Sequence, residues 1–278
     1  EPRGDYLLHY FGLKLPVVVL LLFVLAAIAV GLVLARRGQR IRVSRAKRNA
    51  ALVLGAAIVA PPAYAVLVRS VLYDGLRHFL FLVPLVVVVA AVMVVVLVVE
   101  ATRRWPRRRV PVALSLALGG GLLVARPTAD MVRLHPYEYI YFNELIGGLP
   151  GAYGNYDTDY YGSSYREGFR GLAEHLWQTE RDTYLNTRYL VTGCIPELVA
   201  RNYVGGNFAW VERGEDDADF YLGYTRADCH ERYRRRPEAL AVERMDTLLL
   251  VVRDLRAGAT VYDEGDDEGG ESSPEEAP

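Results

Sequence analysis

Three stretches of this chain, Leu15 to Ala35, Asn49 to Val68 and Phe79 to Val99, are apolar along their whole length and carry no charged residue. A helix gains about 1.5 Å per residue, so about 20 such residues cross the roughly 30 Å of hydrocarbon in a bilayer. Three runs of that length would swamp the core of a soluble domain this small, so they predict membrane spans. A fourth run, Val110 to Ala125, is shorter, and its Gly119-Gly120-Gly121 predicts close packing against a neighbouring helix. Pro61, Pro62 and Pro84 fall inside the predicted spans, where a missing backbone donor predicts kinks.

Basic residues set the orientation, because Lys and Arg in short loops stay on the cytoplasmic side. Arg36, Arg37, Arg40, Arg42, Arg45, Lys47 and Arg48 crowd the first loop, and Arg103, Arg104, Arg107, Arg108 and Arg109 the third. The second loop has only Arg69 and Arg77. The N-terminal segment, the second loop and everything after Ala125 are therefore expected outside the cytoplasm in a multi-pass membrane protein. Glu1 stands where a start would have Met, and the Leu15 to Ala35 run is too long for a signal-peptide core, so the chain is expected to begin mid-protein.

The mean hydropathy of +0.11 averages two unlike halves. Beyond Arg126 the pattern is that of a small extracytoplasmic α/β domain, expected over 126–262 after a transmembrane region over 1–125. Tyr165, Phe169, Leu172, Ala173, Leu176 and Trp177 share one helical face, with Ser163 or Ser164 as its cap. Strand formers cluster at Tyr189 to Thr192, Phe220 to Tyr224 and Thr247 to Val252, with a helix expected over Pro196 to Tyr203. Residues 263–278 are acidic and rich in Gly, Ser and Pro, a composition that predicts a disordered tail. The net charge of −1 cancels basic loops against that tail and gives no nucleic-acid surface. Cys194 and Cys229 both fall in the exported half, where an oxidising compartment allows a disulfide; their spacing suits neither redox CxxC chemistry nor zinc.

Two segments could carry chemistry. Tyr73, Asp74, Arg77 and His78 lie where the second loop enters the third span, and cationic donors beside a helix N-terminus could hold a lipid phosphate. From spacing alone the favoured reading is that Arg77 and His78 snorkel to the interface while Asp74 caps the helix. The second segment runs from His135 through Tyr137, Tyr141, Asn143 and Glu144 to Asp157, Asp159 and Tyr161. Tyrosines beside carboxylates and amides suit sugar recognition, and they also gather at membrane interfaces for solvation alone. Asp157 and Asp159 could act as base or metal ligands, although two acids without a third ligand signal little. No phosphate loop, nucleophile elbow or metal-spaced His cluster is present, so no cofactor is evident and a divalent metal stays open.

The segment Tyr73 to Phe81, the run His135-Pro136-Tyr137-Glu138-Tyr139-Ile140-Tyr141-Phe142-Asn143-Glu144 and the run Asp159 to Glu167 carry a resemblance. The chain, from about Tyr6 to Leu255, resembles the C-terminal part of bacterial polytopic GT-C glycosyltransferases similar to the dolichyl-phosphate-mannose protein mannosyltransferase family. The resemblance implies a multi-pass protein of a bacterial inner or plasma membrane that transfers a sugar from a polyprenyl phosphate donor to an acceptor glycan, lipid or protein outside the cytoplasm. In that family the catalytic carboxylates lie in an early loop with no counterpart before Leu15, so the chain alone is expected to be inactive. A membrane-anchored protein that binds a glycan or a partner without catalysis is the competing expectation. A transporter fits less well, because no charge interrupts a span.

Overall fold

The structure, a computed structural model, describes residues 5–35, 44–212 and 218–256. The arginines at 36, 37, 40 and 42 and the acidic tail lie outside the described residues. The chain divides into two compact units, Glu1–Thr158 and Asp159–Pro278.

The first unit is helical. A short helix α1 (Tyr6–Lys14) precedes four longer ones: α2 (Val17–Ala35), α3 (Arg45–Leu67), α4 (Leu82–Arg104) and α5 (Arg109–Leu134). Among the described residues, three segments are long and apolar enough to cross a membrane: α3, α4 and Pro106–Leu134, which contains α5. Helix α2 contributes a shorter apolar stretch, Val17–Leu32. Their large side chains point outward: Leu52, Val53 and Leu122 are 65, 69 and 75% exposed. An apolar surface of that extent is what a helix presents to lipid, so the first unit is compatible with membrane insertion.

The helices depart from the sequence expectation in explicable places. Pro84 is the third residue of α4, in the first turn, where no intrahelical donor is lost and no kink is required. Pro61 and Pro62 do lie inside α3. Helix α5 continues through Pro127 to Leu134, well past the expected end at Ala125. Ser44 caps α3 by accepting the Lys47 N–H at 3.3 Å. Where α1, the end of α3 and the start of α4 meet, Leu7, Ala65, Phe79 and Leu82 form a small buried core.

After α5, the chain from His135 to Thr158 stays with the first unit, so the division falls later than the change of composition at Arg126. It holds short 3-10 turns at Glu138–Ile140 and Glu144–Ile146 and a five-residue helix, α6 (Gly148–Ala152).

The second unit is a mixed sheet covered by helices. Its strands β1 (Tyr189–Gly193), β2 (Phe208–Trp210), β3 (Phe220–Tyr224), β4 (Glu238–Arg244) and β5 (Thr247–Asp254) lie in the order β2-β1-β3-β5-β4. β1 runs parallel to β2 and to β3, and β5 is antiparallel to β3 and β4. Helices α7 (Ser164–Thr179), α8 (Arg181–Asn186) and α9 (Glu197–Ala200) complete it. The apolar face of α7 closes onto the sheet, burying Tyr165, Phe169, Leu172 and Leu176 with Val191, Phe220, Leu222 and Leu250. Gly168 permits that approach, since a Cβ there would stand 2.8 Å from the Leu250 side chain. The Tyr165 hydroxyl ties the layers together, donating to Leu222 O at 2.7 Å and accepting the Cys194 N–H at 3.1 Å. Cys194 and Cys229 form a disulfide across a sequence separation of 35 residues.

Strands β2 and β4 are additions to the sequence expectation. β2 has three residues, and β4 reads Glu-Ala-Leu-Ala-Val-Glu-Arg, composed largely of helix formers, yet pairing with β5 makes it an edge strand. The helix expected over Pro196 to Tyr203 is one turn, α9.

Candidate functional site

The last carbonyls of a helix have no partner within it. Helix α1 meets that need from far along the chain: Asn143 donates through Nδ2 to Gly12 O at 2.6 Å and to Leu15 O at 2.7 Å, and its backbone N–H reaches Leu13 O at 2.8 Å. The Asn143 Oδ1 accepts the Leu145 N–H at 3.0 Å. Asn143 is fully buried, and its amide is committed to the backbone, a role its place among sugar-binding candidates did not suggest.

On the other side of α1 lies the turn before α4. Asp74 and Gly75 both take left-handed conformations (φ 57° and 64°), and the Gly75 N–H donates to the Tyr6 hydroxyl at 3.0 Å. A Cβ on Gly75 would lie 3.4 Å from the Tyr10 ring and 3.9 Å from Lys14 Cε, so the turn seats directly on α1. Asp74 is buried, and its Oδ2 accepts from Arg77 Nη1 at 3.1 Å. No side chain caps the start of α4, so Asp74 holds Arg77 in place of the capping role expected for it. The Arg77 side chain is 45% exposed, and His78 meets the Tyr73 ring edge-on at 4.8 Å.

Lys14 was not among the sequence candidates. Its Nζ lies 3.6 Å from the centroid of the Phe142 ring and donates to Tyr139 O at 3.2 Å. Burial pushes its pKa down to about 7, so near neutrality its ammonium is held as a titrating group. Only the tertiary packing of Phe142 and Tyr139 over α1 marks it; a single Lys ahead of an apolar run carries no such signal. Aromatic residues extend the cluster. His9 Nε2 is 2.7 Å from the Tyr156 hydroxyl with the rings stacked, and Tyr10 and Phe142 pack on Tyr156 with centroids 5.9 and 5.6 Å away. Burial raises the pKa of both Tyr6 and Tyr10, so both stay neutral hydroxyls.

The remaining candidates separate. His135 Nδ1 lies 2.6 Å from Glu138 Oε1 in an exposed pair. Tyr137 and Tyr141 are buried, and Glu144 Oε1 faces Arg126 Nε at 3.6 Å. Asp157 is exposed in the first unit. Asp159 opens the second, where it is fully buried: Oδ1 accepts the Ser163 N–H at 3.0 Å, and Oδ2 accepts the Ser164 N–H at 3.1 Å and the Ser164 hydroxyl. Asp159 therefore caps α7, in place of the serines expected to do so. Tyr161 is exposed beside Tyr160, with ring centroids 4.6 Å apart. Among the described residues no group of three or more His, Cys, Asp and Glu side chains is arranged to hold a metal ion.

Comparison with protein-family models, with curated proteins and with solved structures found no match to this chain.

Proposed function

We propose that the chain is the C-terminal part of a membrane glycosyltransferase that accepts a sugar from a polyprenyl phosphate donor outside the cytoplasm, with α2 to α5 as four spans. The observation that carries this reading is the pairing of two cations about one turn. Arg77, two residues after Gly75, is anchored by the buried carboxylate of Asp74, and the Lys14 stem lies against Gly75 itself. When a sugar leaves a lipid phosphate, negative charge grows on the phosphate. Fixed cationic donors stabilise that charge more in the transition state than in the bound donor. The aromatic cluster of Tyr10, Phe142 and Tyr156 supplies the apolar walls that keep such a site dry.

The test is transfer by the full-length protein reconstituted in lipid, with polyprenyl-phosphate sugars as donors. Arg77→Ala and Lys14→Ala should each lower turnover at least tenfold; wild-type turnover in both would remove the phosphate-holding role. The second unit favours one further reading, because it has its own closed core and disulfide and so has the build of a binding module for a glycan or a partner subunit. Transfer that persists after residues 159–278 are deleted would assign that unit to binding.

A further inference from the structure

One end of α5 holds a polar constellation that the phosphate site does not use. Tyr141 is 4% exposed, yet among the described residues its hydroxyl has no hydrogen-bond partner. Glu144 Oε2, three residues on, is likewise buried and without a partner, while Oε1 of the same carboxylate faces Arg126. Burial, then Glu144 and Asp130, push the pKa of the Tyr141 hydroxyl up to about 12 against the opposing effect of Arg126. Burying a hydroxyl or a carboxylate oxygen unpaired is costly, so two such atoms three residues apart are groups held ready for something that pairs with them. The backbone beneath is rigid, because Asn143, between the two, is fastened to the end of α1 and to Leu145.

The chemistry of the occupant follows from what surrounds the pair. A cation would meet the Arg126 guanidinium, and an anion would meet Glu144 and Asp130. An apolar molecule would leave both polar atoms unpaired. A neutral polyol satisfies both, since one hydroxyl donates to Glu144 Oε2 and its neighbour exchanges a hydrogen bond with the Tyr141 hydroxyl. We infer that Tyr141 and Glu144 form a recognition site for adjacent hydroxyls of a neutral sugar, distinct from the cationic turn at Arg77. This rests on the reading of the chain as a sugar-handling protein and assigns these two residues to the sugar, where the preceding section assigned Lys14 and Arg77 to phosphate.

Saturation-transfer NMR on the full chain in lipid nanodiscs free of sugar detergents tests it, with methyl glucoside, methyl mannoside and methyl galactoside as probes and choline and inorganic phosphate as charged controls. At least one glycoside should give a signal that falls fivefold or more in Tyr141→Phe and in Glu144→Gln, and that Tyr64→Phe leaves unchanged. Because the Tyr141 hydroxyl is buried without a partner, Tyr141→Phe should hold or raise Tm while it loses the ligand. Absence of any glycoside signal, equal signals in wild type and both variants, a signal only from choline or phosphate, or loss of signal with a lowered Tm in both variants would each overturn the assignment. The two proposals fail separately. Glycoside binding that depends on Tyr141 in a protein with no transferase activity sinks only the transferase, and transfer lost with Arg77 in a protein blind to glycosides sinks only this site.

Discussion

The two units of this chain use apolar side chains in opposite senses. In the first, leucines and valines of α3, α4 and α5 stand outward, while buried apolar side chains gather where α1, α3 and α4 meet and along one stripe of α4 at Val86, Ala90 and Met93. In the second, Tyr165, Leu172, Val191, Phe220 and Leu222 are buried within a sheet and the helix that covers it. Lipid is as apolar as leucine, so helices whose outward faces suit a bilayer would gain little hydrophobic force from one another there, and their geometry would come from packing and hydrogen bonds. Order in the first unit accordingly rests on polar fastenings such as Asn143 to α1 and Tyr6 to Gly75. Order in the second rests on burial, with the Tyr165 hydroxyl and the disulfide as ties.

The contrast can be broken by removing one tie from each side. Replacing Cys194 and Cys229 together by Ser reopens a loop of 35 residues and should destabilise the second unit by about 3–4 kcal/mol on the chain-entropy model. Hydrogen exchange should rise across β1, β3 and α7 while α1 and 135–158 keep their protection; loosening of both sets would mean that the units are not separate. Asn143→Ala removes the two side-chain donations to the end of α1, leaving only the backbone N–H to Leu13 O, and should cost about 1–3 kcal/mol, read as faster exchange of Tyr6 to Leu15 with the sheet unchanged. If α1 stays protected, fastening by hydrogen bonds is not what orders it.

Two smaller effects sharpen the comparison. Lys14 has a folded-state pKa of about 7 against an ordinary 10.5, so between those values the unfolded chain binds more protons and stability should rise with pH. The charged-form penalty is fully present below pH 7 and relieved as pH climbs toward 10.5. Thermal unfolding of the first unit followed from pH 6.5 to 10 should show that rise, and Lys14→Met should flatten it. In the second unit, the hairpin joining β4 and β5 turns on Met245 and Asp246, both left-handed (φ 51° and 57°). Met245→Asn with Asp246→Gly suits that turn and should stabilise by about 1 kcal/mol, seen as a higher Tm for the sheet alone.

The sequence was most informative where a single period or length decides the outcome. Uncharged runs of membrane length marked α3 and α4, and the spacing of Phe169, Leu172 and Leu176 marked α7. The ends were harder. Helix α5 runs past Arg126 and Pro127, residues that read as a stop, and Glu238 to Arg244 becomes a strand because β5 lies beside it. The cationic turn was half visible: Tyr73 to His78 stand together in the chain, whereas Lys14 joins them only through folding. Asn143 and Asp159 looked like ligands because free amides and carboxylates are, and their occupation by backbone donors and acceptors is a property of tertiary structure. The disulfide was open in the sequence, since spacing cannot distinguish a bridge from two thiols.

The fastening at Asn143 also orders events in time. The carbonyl of Gly12 is made first, and the side-chain amide that donates to it is added 131 residues later, after the sequence of α2 to α5 has been made. Until then the final turn of α1 has nothing to end against. The end of α1 is therefore fastened only after α2 to α5 have been made, and the packing of Phe142 over Lys14 is completed in the same step.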